Sequence, residues 1–136
     1  MEDGHIEGMS GAAILIVEDD PEFGKLLESY AELSGYLHRS VISAGAAFDI
    51  IGQEAFDLII TDYLMPGTSG LAMARRVRAA GYTLPIVLLS GHLTTRLYEE
   101  ARKSGVNRVL AKPLTLELFR TETAEVLGRY RLGERN

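Results

Sequence analysis

The chain has no cysteine, so it can build neither a disulfide framework nor a thiolate metal site. It also lacks any apolar run long enough to cross a bilayer, and its acidic, polar N-terminus is unlike a secretory signal. Both absences point to the cytoplasm. Positive charge is scarce as well: the formal net charge is −5, whereas a broad nucleic-acid footprint needs clustered Lys and Arg to neutralise phosphates. The one basic stretch, Arg129, Arg131 and Arg135, suits the negative end of a helix dipole. Internal repeats, low-complexity tracts and a linker to a second domain are missing too. What is left is one globular domain of 136 residues, enough for a single core.

The most informative stretch runs from Phe56 to Gly67, FDLIITDYLMPG. An apolar run too short for a helix ends in Asp62 and then breaks at Pro66-Gly67, the pattern of a buried strand followed by a turn. Asp62 therefore stands where the strand leaves the core. Four similar runs surround it. Ala13-Ile14-Leu15-Ile16-Val17 reads as a strand buried on both faces, ending in Glu18-Asp19-Asp20. Tyr36 to Ile42 is a weaker strand for a sheet edge, Leu84 to Leu89 a fourth strand ending at Ser90-Gly91, and Arg108 to Ala111 a fifth ending at Lys112-Pro113.

Helical patterns alternate with these strands. Pro21 at a first helical position opens a helix whose apolar stripe is Phe23, Leu26, Leu27, Tyr30 and Leu33, stopped by Ser34-Gly35. Gly45 to Gln53 is a short helix with Phe48 and Ile51 inward, and Ser69 to Ala80 buries Leu71, Met73, Ala74 and Val77. Thr94 to Ser104 ends at Gly105, and Thr115 caps a last helix with Leu116, Phe119, Thr123, Val126 and Tyr130 along one side. The alternation predicts an α/β fold with a parallel sheet covered by helices on both faces. Five units are too few for a barrel, so the sheet is open and doubly wound. Residues 1–12 read as a disordered leader. Gly4 to Met9 resembles an expression-vector remnant over 1–8, which would make Met9 the natural start. The domain is expected over 13–131, with a tail at 132–136.

In an open parallel sheet, ligands bind outside the carboxyl ends of the strands. Glu18, Asp19, Asp20, Asp62, Ser90 and Lys112 all fall on that edge, where hydrophobic packing explains none of them. Taken singly, the acids could cap helices, Ser90 could form a turn and Lys112 could be solvated. Together, converging carboxylates repel one another unless protonated or neutralised by a cation. Lys112 supplies one charge, and a hard divalent ion such as Mg²⁺ suits the oxygen ligands. A carboxylate nucleophile, a metal, a lysine and a hydroxyl are also what phosphoryl transfer uses. No Gly-rich phosphate loop follows the first strand, which disfavours a nucleotide-binding domain.

At these residues the chain resembles a known family. Ile14 to Asp20, Asp57 to Gly70 with Asp62 and Met65-Pro66-Gly67, Pro85 to Gly91, and Lys112-Pro113 look like the receiver domain of two-component response regulators and hybrid histidine kinases. The resemblance spans about Ala13 to Tyr130. It implies a (βα)5 flavodoxin-like domain with strand order 2-1-3-4-5 and a phosphoacceptor switch rather than an enzyme. By resemblance, Asp62 would accept a phosphoryl group from a histidine kinase or a histidine phosphotransfer protein. Glu18, Asp19, Asp62 and the Leu64 backbone carbonyl would hold Mg²⁺, with Mn²⁺ as a substitute. Ser90 and Gly91 would contact the phosphoryl group with Lys112, and Pro113, after a cis peptide bond, would aim that lysine. Leu64 and His92 stand at positions that tune phosphoryl lifetime in the family. A homodimer or partner face would be formed by the fourth helix, fifth strand and fifth helix, with Tyr98, Arg102 and Arg108 on it.

One departure is plain. The family carries Tyr or Phe three residues before the lysine, whereas this chain has Val109, so a rotating-aromatic readout cannot operate. Two other readings stay open. A pseudo-receiver would only bind a protein partner. An aspartate-nucleophile phosphatase needs a second acid two residues after the nucleophile, and Leu64 has no proton to give there. Whether the chain is a stand-alone receiver or the excised end of a hybrid kinase is also open.

Overall fold

The computed structural model describes residues 11–131, with side chains to 129. The sequence predicts strand and helix alternation, and the structure has it: β1 (Ala13–Val17), α1 (Pro21–Leu33), β2 (Leu37–Val41), α2 (Ala44–Ile51), β3 (Leu58–Asp62), α3 (Gly70–Ala79), β4 (Ile86–Ser90), α4 (Thr95–Lys103), β5 (Arg108–Ala111) and α5 (Leu116–Arg131). The sheet is wholly parallel in the order β2-β1-β3-β4-β5. Strand order reverses between β1 and β3, which opens the switch-point crevice at their carboxyl ends.

Side chains alternate across the sheet with a period of two. Leu15, Val17, Ile59, Ile86 and Leu88 face the core shared with α2, α3 and α4. Ile14, Ile16, Leu58, Ile60, Val87 and Leu89 face the core shared with α1 and α5. Both faces are covered, so the central strands are apolar up to their carboxyl ends, where Thr61, Asp62 and Ser90 stand. The edge strand β2 keeps its polar residues because it is largely exposed.

Helix starts follow local chemistry. Asp20 accepts from the Glu22 N–H ahead of Pro21, while Ser43, Ser69, Thr94 and Thr115 each accept from the backbone N–H three residues on. The α1 stripe differs from the expectation. Leu26 and Leu33 are exposed, at 40% and 62%, and the buried residues are Gly24, Leu27 and Ala31. Two small residues let the helix backbone lie close to the sheet, and small residues leave no mark on a hydrophobic pattern. Along α5, Phe119, Thr123 and Val126 are buried as expected and Leu116 is half-buried. Leu127 joins them with no exposure, and the Tyr130 side chain lies outside the described residues.

Boundaries differ elsewhere by one or two residues, as at β2 (Leu37–Val41 against Tyr36 to Ile42) and α2 (Ala44–Ile51 against Gly45 to Gln53). β4 begins at Ile86, since Pro85 has no N–H for the ladder, although its carbonyl still accepts from Ile59. Gly11 and Ala12, assigned to the leader, are tied to the fold through Gly11 N–H to Gly35 O and Leu37 N–H to Ala12 O. The remaining leader (1–10) and the tail (132–136), including Arg135, lie outside the described residues.

At the opposite end from the crevice, Arg78 closes the fold. Its guanidinium donates to the carbonyls of Tyr82, Leu84 and Gly105 and to Asn107 Oδ1. Gly105 is at φ +92°, and a Cβ there would lie 2.5 Å from Arg78 Cγ, so glycine is required by both backbone and space.

Candidate functional site

Asp62 is the last residue of β3, 7% exposed, with its register partner Leu89 in β4 behind it. Glu18 follows β1, 4% exposed, its backbone N–H donating to the Val41 carbonyl of the edge strand. The β1–β3 pairing brings the two acids together because Val17 lies opposite Thr61. Carboxylate oxygens of Glu18, Asp19 and Asp62 lie within 4.8 Å of one another, with Asp19 on the solvent side. Lys112, after β5, reaches across to donate to Asp62 Oδ1 at 2.9 Å and stands 4.0 Å from Glu18 Oε1.

One ammonium does not balance three acids. Burial, above all, pushes the Glu18 carboxyl up to about 7; Asp62 and Asp19 add to this, while the Asp20 N–H and Lys112 oppose it. Its Oε2 accepts from Asp20 N–H at 3.0 Å, but its buried Oε1 has no hydrogen-bond partner among the described residues. A buried acceptor left over beside two further carboxylates fits a hard cation with oxygen ligands.

Ser90 ends β4, 4% exposed. Its hydroxyl donates to the His92 carbonyl at 3.0 Å and accepts from the His92 N–H at 3.1 Å. The hydroxyl is thus on the crevice edge but engaged with its own loop. Leu64, Gly91 and His92 line, with Asp62, Ser90 and Lys112, one cleft of about 770 Å³. Leu64 is 71% exposed at its mouth, and its side chain carries no acid. The Lys112–Pro113 bond is cis, and the Lys112 N–H donates to Ser90 O. The structure brings Glu18, Asp19, Asp62, Ser90 and Lys112 to one strand-end crevice, with Leu64, Gly91 and His92 on its wall; Asp20 instead spends its side chain capping α1. Val109 is half-buried on the far side of β5, where it lines a separate hollow of about 410 Å³ with Tyr98, Arg102 and Arg108.

Four contributors were not singled out in the sequence. Gly70 is the first residue of α3, and its N–H donates to Tyr63 O at 2.8 Å. A Cβ there would fall 2.3 Å from the Asp62 carbonyl oxygen and 2.8 Å from Leu88 Cδ1, so only glycine lets α3 start against the end of β3. A glycine directly after a capping serine was the available signal. Thr61 donates to the Asp62 carbonyl at 3.0 Å, fixing the strand end. Phe23 places its ring 4.9 Å from Lys112 Nζ, and Tyr30 donates to Leu114 O at 2.9 Å. Both aromatics looked like plain core residues on a helix stripe.

Comparisons with known proteins bear on the family and the fold. The family model of the response regulator receiver domain matches residues 14–124. The transcriptional regulatory protein RprY of Bacteroides fragilis is 31% identical over 123 residues, covering 90% of this chain and 52% of that protein. The sensor histidine kinase RcsC of Salmonella typhimurium is 28% identical over 118 residues, covering 87% of this chain but 12% of that protein. The chain thus spans about half the length, or much less, of these curated relatives. Among solved structures, the signal receiver domain of a signal transduction histidine kinase from Syntrophus aciditrophicus superimposes with a TM-score of 0.79. It is 28% identical, covering 87% of this chain and 91% of that one.

Proposed function

The chain belongs to the response regulator receiver domain family, and on that premise we propose that it is the phosphoacceptor of a two-component phosphorelay, with Asp62 as the accepting residue. The observation that carries this reading is the Asp62–Lys112 pair at 2.9 Å beside the unpartnered Glu18 oxygen, in a crevice open to a donor. An Asp62 oxygen forms the new bond to phosphorus as the phosphorus–nitrogen bond of a phosphohistidine breaks. The leaving imidazole keeps that electron pair. Lys112 is already within reach to balance the charge on the phosphoryl oxygens. The Ser90 hydroxyl exchanges its two His92 backbone bonds for a phosphoryl oxygen, and the Gly91 backbone lines the same wall.

Glu18, Asp19, Asp62 and the Leu64 carbonyl are the groups that would hold Mg²⁺, or Mn²⁺ in its place. The ion supplies positive charge that these carboxylates and a phosphoryl group both need. The lack of a proton donor at Leu64 supports a held phosphoryl group over phosphatase turnover. The donor is a histidine kinase or a histidine phosphotransfer protein in the cytoplasm.

The face of α4, β5 and α5 is the surface we assign to a partner or a second copy. Tyr98 is 47% exposed there, and Arg108 is held to α5 by Glu122 and Glu125, each at 2.8 Å. With Val109 in place of an aromatic, the part of the crevice wall that an exchange at Ser90 would free is the β4–α4 loop, whose His92 backbone now holds that hydroxyl. Intact-mass measurement after incubation with acetyl phosphate tests the reading. One phosphoryl group per chain with Mg²⁺ and none with EDTA is expected. No adduct under any condition would favour a pseudo-receiver, and steady hydrolysis of p-nitrophenyl phosphate would favour a phosphatase.

A further inference from the structure

Lys112 sits on a long flexible stem at the end of a four-residue strand, yet its ammonium is directed at one oxygen of Asp62. A flexible side chain with part of its surface in water holds one geometry only if something beside it restricts it. Besides the carboxylates that Lys112 faces, α1 supplies two restraints: one on the ammonium itself and one on the backbone two residues further on. The Phe23 ring stands 4.9 Å from Lys112 Nζ, within the range where an aromatic face attracts an ammonium. Two turns further along the same helix, the Tyr30 hydroxyl donates to the Leu114 carbonyl at 2.9 Å. Tyr30 is itself held against Phe119 of α5, ring centroids 5.6 Å apart.

Phe23 and Tyr30 lie on one side of a helix whose N-cap is Asp20, the residue directly after the acidic pair. One rigid element therefore begins at the carboxylates and ends at the lysine turn. We propose that α1 is the element that aims Lys112, with Phe23 positioning its ammonium and Tyr30 its backbone. This rests on the phosphoacceptor reading of Asp62 for its functional consequence, though not for the contact itself. It makes Phe23 and Tyr30 positioning residues: neither touches the acceptor carboxylate, and both act through Lys112.

The test uses Phe23→Leu, Phe23→Tyr and Tyr30→Phe. The leucine keeps an apolar side chain packed on the α1–α5 core without a ring, and Tyr30→Phe removes one hydroxyl only. Proton NMR of the Lys112 ε-methylene should show a ring-current shift in the wild type and in Phe23→Tyr that disappears in Phe23→Leu. With saturating Mg²⁺, labelling by acetyl phosphate should slow about two- to fivefold in Phe23→Leu and Tyr30→Phe and recover in Phe23→Tyr. Mg²⁺ affinity, set by the untouched acids, should stay within about twofold of wild type in all three. An absent ring-current shift in the wild type overturns the proposal. So do unchanged rates in both Phe23→Leu and Tyr30→Phe, or an equal loss in Phe23→Tyr, which would mark a merely structural role. If the wild type itself takes no label, the phosphoacceptor reading fails, while the Lys112 resonance still decides whether α1 holds the lysine.

Discussion

Replacing Glu18 by glutamine should make the metal-free protein more stable, and the gain should depend on pH. In the unfolded chain this carboxyl ionises near 4.5; in the fold, burial raises it to about 7. Between these values the folded state holds a proton that the unfolded state has released, so stability falls as pH rises from about 4.5 to 7 and is level above. The difference amounts to about 3 kcal/mol at pH 8 and less than about 1 kcal/mol at pH 5. A glutamine side chain is neutral throughout and would escape this cost while still accepting from the Asp20 N–H. Urea denaturation in EDTA should therefore show Glu18→Gln ahead of wild type by about 2–3 kcal/mol at pH 8, with most of the gap closed at pH 5. Adding Mg²⁺ at pH 8 should stabilise wild type more than the variant, since a bound ion removes the cost in wild type. A gap equal at both pH values, or a less stable variant at pH 8, would refute the reasoning that Glu18 is a strained, cation-seeking acid.

Gly70→Ala should destabilise the fold by about 1–3 kcal/mol in thermal or urea melts, because its Cβ meets the Asp62 carbonyl and Leu88. A neutral result would mean that α3 can slide away from β3 at no cost. Lys112→Met should leave Asp62 unpaired beside Glu18 and weaken its capacity to take label from acetyl phosphate at least tenfold. Labelling at the wild-type rate would remove the lysine from the site. Gly105→Ala should cost about 1–3 kcal/mol through both its positive φ and the Arg78 side chain, yet leave labelling unchanged because it acts at the far end of the sheet.

The crevice was more legible than the packing beneath it. Asp62, Ser90 and Lys112 are found from sequence because a polar residue ending an apolar run stands out, and the strand-end rule sends all three to one edge. The order of the sheet was implied by family resemblance and is seen directly in the registers. The α1 stripe was misread at Leu26 and Leu33 because Gly24 and Ala31, which let the helix approach, carry no hydrophobic signal. Gly70 was passed over for a related reason: what matters is a Cβ it does not have. The roles of Phe23 and Tyr30 depend on distances to Lys112 and Leu114, residues remote in sequence, and no local pattern encodes them.

Phosphoryl transfer to Asp62 is the step on which every functional role assigned to the crevice depends. Wild type and Asp62→Asn, shown by circular dichroism to be equally folded, should be incubated with acetyl phosphate and Mg²⁺ and their intact masses compared. One phosphoryl group on wild type and none on Asp62→Asn is the predicted result. Undiminished labelling of Asp62→Asn would contradict it.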